Sequence, residues 1–470
     1  MVFSTYIFIF WFLPLTLLVY YCLPFRWKSA WLLVTSYVFY GWWKPEYCAL
    51  LLGVTALNYW GARRIARAAS HGQKRFWVGL CVISSLGILG FWKYAGMLSG
   101  WLDSAIQLFV SPAQGAESVI PILDIVLPIG ISFYTFQAMS YSIDIYRGEA
   151  REASDFVSFA AYIAMFPQLI AGPIVRYHWI ADELRSRSHT TAKFFVGTRF
   201  LAIGLAKKVL LADLFALAVP AAFGPHQPDA IGAWVGTLAY SLQIYFDFSA
   251  YSDMAVGLGL MLGFTFPPNF DSPYKSASIT EFWRRWHISL SSWLRDYLYL
   301  PLGGNRHGRN RTYVNLMIVM VLGGLWHGAS ALFLIWGLWH GVLLALERAL
   351  GDRHPIRRLP RGAAVLVTNL LVLLGWVVFR AADTGSAVRI FEAMFLMADG
   401  SASTIAAPAI APVLPWLLIP GYGICLFLRN TWEMSYEPRP LDILWTTILL
   451  AVSILVVLAA ESSPFLYFQF

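Results

Sequence analysis

Long apolar runs separated by short polar connections fill this chain. The runs fall near 3–23, 29–43, 46–60, 76–99, 122–146, 156–175, 194–222, 231–263, 312–326, 330–347, 363–379, 412–428 and 443–460. A helix needs roughly 20 apolar residues to cross a hydrocarbon core of about 30 Å. Most runs meet that need, which predicts about 11 membrane-spanning helices. Arg63, Arg64, Arg67, Lys74 and Arg75 share one connection with no acid between them, which places it in the cytoplasm. Trp101 to Pro121, with Asp103 and Glu117, lacks Lys and Arg and is placed outside. Phe223 to Asp229 and Ala398 to Pro412 lack them too and go to the same side.

Two runs break this alternation. The run 156–175 contains Phe166-Pro167-Gln168 and Ala171-Gly172-Pro173, with Arg147 and Arg151 before it and Arg176 and Arg185 after. It reads as a broken or re-entrant segment, tolerable at membrane depth only against protein or a wet cavity. The second break is at Leu325-Trp326-His327-Gly328. The flanking apolar runs, Val314 to Leu325 and Ala331 to Leu346, are each too short to cross comfortably. Arg306, Arg309 and Arg311 precede the pair, and Arg348, Arg353, Arg357 and Arg358 follow it. With both outer flanks basic, the pair is expected to enter and return from the cytoplasm, carrying His327 near its deepest point. A titratable ring at that depth is costly unless it has a task or a partner.

Composition supports the membrane reading: 58% of 470 residues are hydrophobic and only 13% charged. The 21 Trp and 23 Tyr suit interfacial belts. The net charge of +8 sits in short connections, which points to topology and anionic headgroups and away from nucleic acid. Cys22, Cys48, Cys81 and Cys425 lie in apolar stretches without metal-ligand spacing and read as core residues. The apolar start, Val2 to Leu23, has no basic opening and no small-residue cleavage site, so it reads as a retained span. Residues 1–470 are expected to form one integral membrane domain.

Candidate chemistry concentrates between Asp271 and Arg311. At helical spacing Trp283, Trp286, Leu290, Trp293, Leu294 and Tyr297 share one face, while Arg284, Arg285 and Arg295 mostly lie elsewhere. That pattern predicts an amphipathic helix at the cytoplasmic interface. Its arginines suit lipid phosphates, or the phosphates of a cytosolic donor such as coenzyme A or a carrier-protein phosphopantetheine. His287 lies on this helix, and His327 follows 40 positions later. Acyl transfer to a hydroxyl needs a base for the proton and groups that hold the acceptor and the oxyanion. A neutral buried imidazole at His327 suits the first role. His340, in Trp336-Gly337-Leu338-Trp339-His340-Gly341, reads as structural. His71, His189, His226, His307 and His354 fall in connections and receive no role. Asp247 and Asp253, inside an apolar run, suit either packing or function. Gly257, Gly259 and Gly263 read as close-packing positions. The sequence holds no Walker A, HExxH or GxSxG motif, which leaves ATP-driven transport, zinc proteolysis and serine hydrolysis unsupported.

These blocks resemble the membrane-bound O-acyltransferase superfamily, and within it the bacterial alginate O-acetyltransferase branch. The resemblance runs through 127–137 (LPIGISFYTFQ), 165–173 (MFPQLIAGP), 247–253 (DFSAYSD), Trp283 to Arg306, and Leu325 to Gly328. It implies an all-α bundle around a central tunnel, with re-entrant and interfacial helices. The catalytic histidine is then His327, with His287 a second functional residue. It further implies a bacterial inner-membrane protein that passes acetyl groups to periplasmic acetyltransferase partners. The expected donor is acetyl-CoA, held at Arg284, Arg285, Arg295 and Arg306, with no permanently bound cofactor and no metal. Other outcomes remain open at this point: O-acetylation of peptidoglycan or cellulose, D-alanyl transfer to teichoic acid, or transport without catalysis.

Overall fold

A computed structural model describes residues 1–110, 118–395, 413–434, 437, 439–459 and 465–466. Glu117 and the whole of the expected outer stretch Ala398 to Pro412 lie outside the described residues. Single-turn pieces aside, the helices are α1 (Leu13–Cys22), α2 (Phe25–Gly41), α3 (Tyr47–Arg67), α4 (His71–Gln107) and α5 (Ile131–Arg147). Then come α6 (Phe156–Ala164), α7 (Phe166–Leu169), α8 (Tyr177–Arg185), α9 (Thr191–Ala206) and α10 (Ala230–Met261). The chain continues with α11 (Ile279–Arg285), α12 (Ile288–Leu294), α13 (Gly308–His327) and α14 (Ala331–Leu350). It ends with α15 (Arg361–Arg380), α16 (Thr384–Met394), α17 (Leu414–Phe427) and α18 (Pro440–Ala459). Among the described residues four helices are long and apolar enough to cross a membrane: α4, α14 with the turn after it, α15 and α18. That measure does not confirm the expected count of about 11: α1, α2, α5, α9 and α17 are each shorter than 18 residues, and α3 and α13 carry arginines.

The central element is α10, buried at every residue from Ile244 to Met261. Glycines let α9 lie directly against it. A methyl group on Gly257 would sit 2.5 Å from the Gly197 carbonyl oxygen, and one on Gly204 would sit 2.7 Å from the Ala250 carbonyl oxygen. Gly259 likewise leaves room for the Phe266 ring. Gly263 differs from the packing role expected of it: its φ of +92° makes it the turn that leaves α10.

Two acids on α10 are tied down by lysines that follow α9. Chain widening into a π turn at Lys207–Ala212 presents both amines: Lys207 Nζ lies 2.7 Å from Asp253, and Lys208 Nζ lies 2.9 Å from Asp247. Thr431 donates to Asp253 at 2.7 Å, and the Leu466 amide donates to Asp247 at 2.7 Å. These contacts make both carboxylates packing elements of the bundle.

The run 156–175 is broken as expected. α6 stops at Met165 and α7 lasts four residues. Every residue from Phe159 to Tyr177 is buried, so protein supplies the partners its backbone needs. Tyr162 donates to the Val175 carbonyl at 2.8 Å, Gln168 donates to the Tyr162 carbonyl at 2.6 Å, and the Phe166 amide donates to Ser36 at 3.0 Å. Of the four cysteines, Cys81 and Cys425 are core residues; Cys48 is half-buried, and Cys22 is exposed at the end of α1, where the apolar run meets the surface.

Candidate active site

The expected interfacial helix is not one helix and does not lie on the surface. α11 ends at Arg285, Trp286 is extended, and His287 takes the left-handed conformation at φ +44° before α12 begins. The descent can be followed along α14. The Thr280 amide donates to Glu347 at 3.0 Å, near the basic end of α14. Trp283 then donates to His340 Nδ1 at 3.4 Å. His287 lies deepest, beside Trp326 at 5.7 Å between ring centroids. The chain returns along α5. Trp293 stacks on Phe136 at 3.8 Å, and Tyr297 donates to Asp144 at 2.6 Å, close to Arg147. The aromatic face therefore packs inward: Trp286, Leu290, Trp293, Leu294 and Tyr297 are all buried. α11 and α12 form a V whose apex is His287.

Tertiary contacts impose this apex, since a left-handed residue with a side chain costs roughly 1–2 kcal/mol. The Ile288 amide donates to the Asn269 carbonyl at 2.9 Å, and the Asp271 amide donates to the Arg285 carbonyl at 2.9 Å. The Asn269 side chain holds the ring itself. Its Oδ1 accepts from the Ser289 amide at 3.2 Å and from Ser289 Oγ at 2.8 Å, and lies 3.2 Å from His287 Nδ1. Its Nδ2 donates to Ser252 at 2.9 Å. Because the Ser289 amide can only donate, Oδ1 is the acceptor, and His287 Nδ1 must carry the proton. Nε2 then bears the lone pair, and it has no hydrogen-bond partner among the described residues.

A second hairpin supplies the other histidine. α13 and α14 are 20 residues each, about 30 Å long. They exceed the apolar runs because α13 begins at Gly308 and takes in Arg309 and Arg311, so the arms are not short as the sequence suggested. The two arms touch through backbone. A methyl group on Gly324 would sit 2.1 Å from the Phe333 carbonyl oxygen, and one on Gly337 would sit 2.4 Å from that of Met320. At the tip, Gly328 is required because a methyl there would overlap the Phe333 ring at 2.0 Å. His327 is the last residue of α13 and is 5% exposed, so the expected turn position holds.

Helix α4 caps this tip. The last carbonyls of a helix have no partner within it. Lys93 donates to the Trp326 carbonyl, reaches Ser132 Oγ at 3.4 Å, and lies 5.7 Å from the Trp326 ring centre. Tyr94 donates to the Leu325 carbonyl at 2.7 Å. Lys93→Met is expected to destabilise the protein by about 1–2 kcal/mol and Tyr94→Phe by about 1 kcal/mol. The double variant should lose less than the sum, since both act on one helix end. Unfolding curves in detergent check this; strict additivity would mean that the two side chains serve unrelated contacts.

The two apices meet. The His287 and His327 ring centroids are 6.5 Å apart at 68°. Trp326 lies against both, at 5.7 Å and 5.1 Å. Trp336 at 5.1 Å and Phe379 at 5.2 Å line the far side of His327, while Phe248 at 4.8 Å and Phe133 at 6.3 Å flank His287. Rings on these sides exclude bulk water, and a neutral imidazole nitrogen in such an enclosure can accept a proton. His340, buried between Trp283 and Trp336, is packed one turn further along α14.

The four arginines expected to hold the donor all flank the V, on two different limbs. Arg285 is paired with Asp271 at 3.3 Å and Glu281 at 3.1 Å. Arg295 is paired with its neighbour Asp296 at 2.7 Å. Arg284 and Arg306 are exposed. Around Asp296 the fold adds two arginines that sequence spacing did not suggest. Arg176 lies 2.7 Å from its carboxylate, and Arg147 donates to its carbonyl at 3.1 Å. Beside them His178 Nδ1 lies 3.1 Å from Asp144, the acid that also accepts from Tyr297. His178 drew no attention in the sequence, because its partner lies 34 positions earlier with no shared motif.

The chain is similar to known membrane acyltransferases. The profile of the MBOAT, membrane-bound O-acyltransferase family, matches residues 146–355, a span that holds both histidines. A protein of Pseudomonas putida named "probable alginate O-acetylase" is 44% identical over the full length of both chains. One of the same name from Pseudomonas aeruginosa is 48% identical over 84% of this chain and 75% of its own. A peptidoglycan O-acetyltransferase of Helicobacter pylori is 33% identical over 100% of this chain and 98% of its own. With two histidines at the joined apices and full-length relatives of this kind, the chain belongs to the membrane-bound O-acyltransferase family and is an O-acyltransferase.

Proposed function

We propose that this protein takes acetyl groups from a cytosolic thioester, acetyl-CoA, and passes them through the inner membrane for O-acetylation of an exopolysaccharide, alginate. The observation that carries the reading is the meeting of His287 and His327 at 6.5 Å, each at the apex of a V or hairpin whose arms return to the same basic face. His327 removes the acceptor hydroxyl's proton. The oxygen attacks the thioester carbonyl, the C–S bond breaks, and the thiolate leaves with a proton from the imidazolium. His287, fixed by Asn269 with Nε2 unpaired among the described residues, orients the acceptor. Arg284 and Arg285, on the limb that runs to the apex, and Arg295 and Arg306, after the other limb, receive the donor's phosphates, and the charged cofactor never leaves the cytosol, which avoids its desolvation cost. Periplasmic acetyltransferases complete the polymer. Alginate is favoured over peptidoglycan by the higher identity of the alginate-named relatives, 44% against 33% over full length.

The test is transfer itself. Purified protein in sealed vesicles receives acetyl-labelled coenzyme A on one side. Label is expected on an oxygen ester that hydroxylamine releases, with competition by unlabelled acetyl-CoA and none by a D-alanyl carrier protein. Competition by the D-alanyl carrier alone would overturn the donor assignment.

A further inference from the structure

A second charged site lies where α1 and α2 meet the chain that leaves α8. Lys28 is 7% exposed and Arg187 is 8% exposed. Both cations share one aromatic ring: Lys28 Nζ is 4.3 Å from the Tyr20 ring centre, and the Arg187 guanidinium is 5.6 Å from it. Arg187 is also held between Phe25 at 5.0 Å and Phe264 at 4.5 Å.

Neither cation pairs with a carboxylate among the described residues. Arg187 donates to Tyr20 Oη at 2.6 Å and to the Glu183 backbone carbonyl at 3.0 Å, and its remaining Nη2 is buried without a partner. The Glu183 carboxylate is committed elsewhere, to Lys193 at 3.7 Å and to the Thr265 amide at 2.9 Å. Lys28 makes no hydrogen bond with the described residues. The Tyr20 hydroxyl donates to the Leu262 carbonyl at 2.6 Å and so cannot neutralise either charge. His189 Nε2 lies 3.1 Å from the same hydroxyl, and burial with the Lys28 and Arg187 charges beside it lowers its pKa, so it brings no negative charge and favours its neutral form. Two neighbouring cations held out of water without an acid carry a desolvation cost that no counter-charge offsets. An anion between them removes it through charge-assisted hydrogen bonds.

We propose that Lys28 and Arg187 form a phosphate-binding site, independent of the histidine site and of the acetyl-transfer reading. The ligand is a phosphate group held between the Lys28 amine and the free Arg187 Nη2. The surroundings fit the cytoplasmic edge of a bilayer. Tyr21, Phe25 and Trp27 are exposed beside the site, as in an interfacial aromatic belt, and Arg26 is exposed with them. A phospholipid headgroup and a soluble phosphate ester present the same chemistry here.

The experiment uses the full chain, purified and delipidated in neutral detergent. Its thermal unfolding is followed with added phosphatidylglycerol, phosphatidylcholine, inorganic phosphate or 3′,5′-ADP, at matched ionic strength. Protection by phosphatidylglycerol alone assigns the site to a lipid headgroup; equal protection by 3′,5′-ADP assigns it to a soluble phosphate ester. Lys28→Gln and Arg187→Gln are each expected to weaken the protecting ligand about tenfold. Arg187→Lys, which keeps the charge, controls for variants that fail to fold. The proposal is overturned if no phosphate compound protects the wild type, or if both Gln variants are protected at wild-type concentrations.

Discussion

His327→Ala protein is expected to fold, bind its donor and transfer no acetyl group above the spontaneous rate. The substitution removes the imidazole that takes the hydroxyl proton in the proposed mechanism, and general-base catalysis contributes about 10²- to 10⁴-fold. Folding should survive, because the tip is held by Lys93 and Tyr94 on the Trp326 and Leu325 carbonyls and by the glycine contacts of α13 with α14, none of which involves the imidazole. Labelled transfer and donor binding are measured on the same preparation. Wild-type turnover in this variant would remove His327 from the chemistry.

The second large effect is expected at Asn269, which touches no substrate in this reading. Its Oδ1 is the shared acceptor for His287 Nδ1, the Ser289 amide and Ser289 Oγ. Asn269→Leu keeps the volume and leaves three buried donors unsatisfied, at about 1–3 kcal/mol each. The backbone bonds of the turn remain, but the His287 ring loses the side chain that fixes it. A reacting group displaced by about 1 Å costs roughly 10²-fold in rate, so kcat should fall at least that far while the KM for donor stays near wild type. Asn269→Asp keeps the acceptor and should recover part of the loss. A fall in stability with unchanged kcat would mark Asn269 as a packing residue only.

The sequence was most legible where one local pattern decides the structure. His327 sits between two apolar arms with Gly328 beside it, and that pattern alone predicts a turn with the ring at its apex. The break at Met165 was legible for a similar reason, through Pro167, Gly172 and Pro173. The V around His287 was not. The spacing from Trp283 to Tyr297 fits one continuous amphipathic helix, and what breaks it is Asn269, 18 positions upstream of the histidine. The caps on α13 come from a helix 233 and 231 positions away in sequence, and the lysine partners of Asp247 and Asp253 depend on a π turn with no sequence signature here. Polar residues in apolar runs announce that partners exist; only the folded chain says which.

The glycine joint between α13 and α14 bears on how the acyl group can travel. With backbone against backbone at Gly324 and Gly337, the arms cannot slide past each other: a slip of one helical turn, about 5.4 Å, would drive side chains into carbonyls. Any movement of the hairpin therefore carries both arms together, with His327 at a fixed height on the joint. A cycle in which one arm ratchets past the other is closed to it, and in the proposed reading the acyl group is the part that travels.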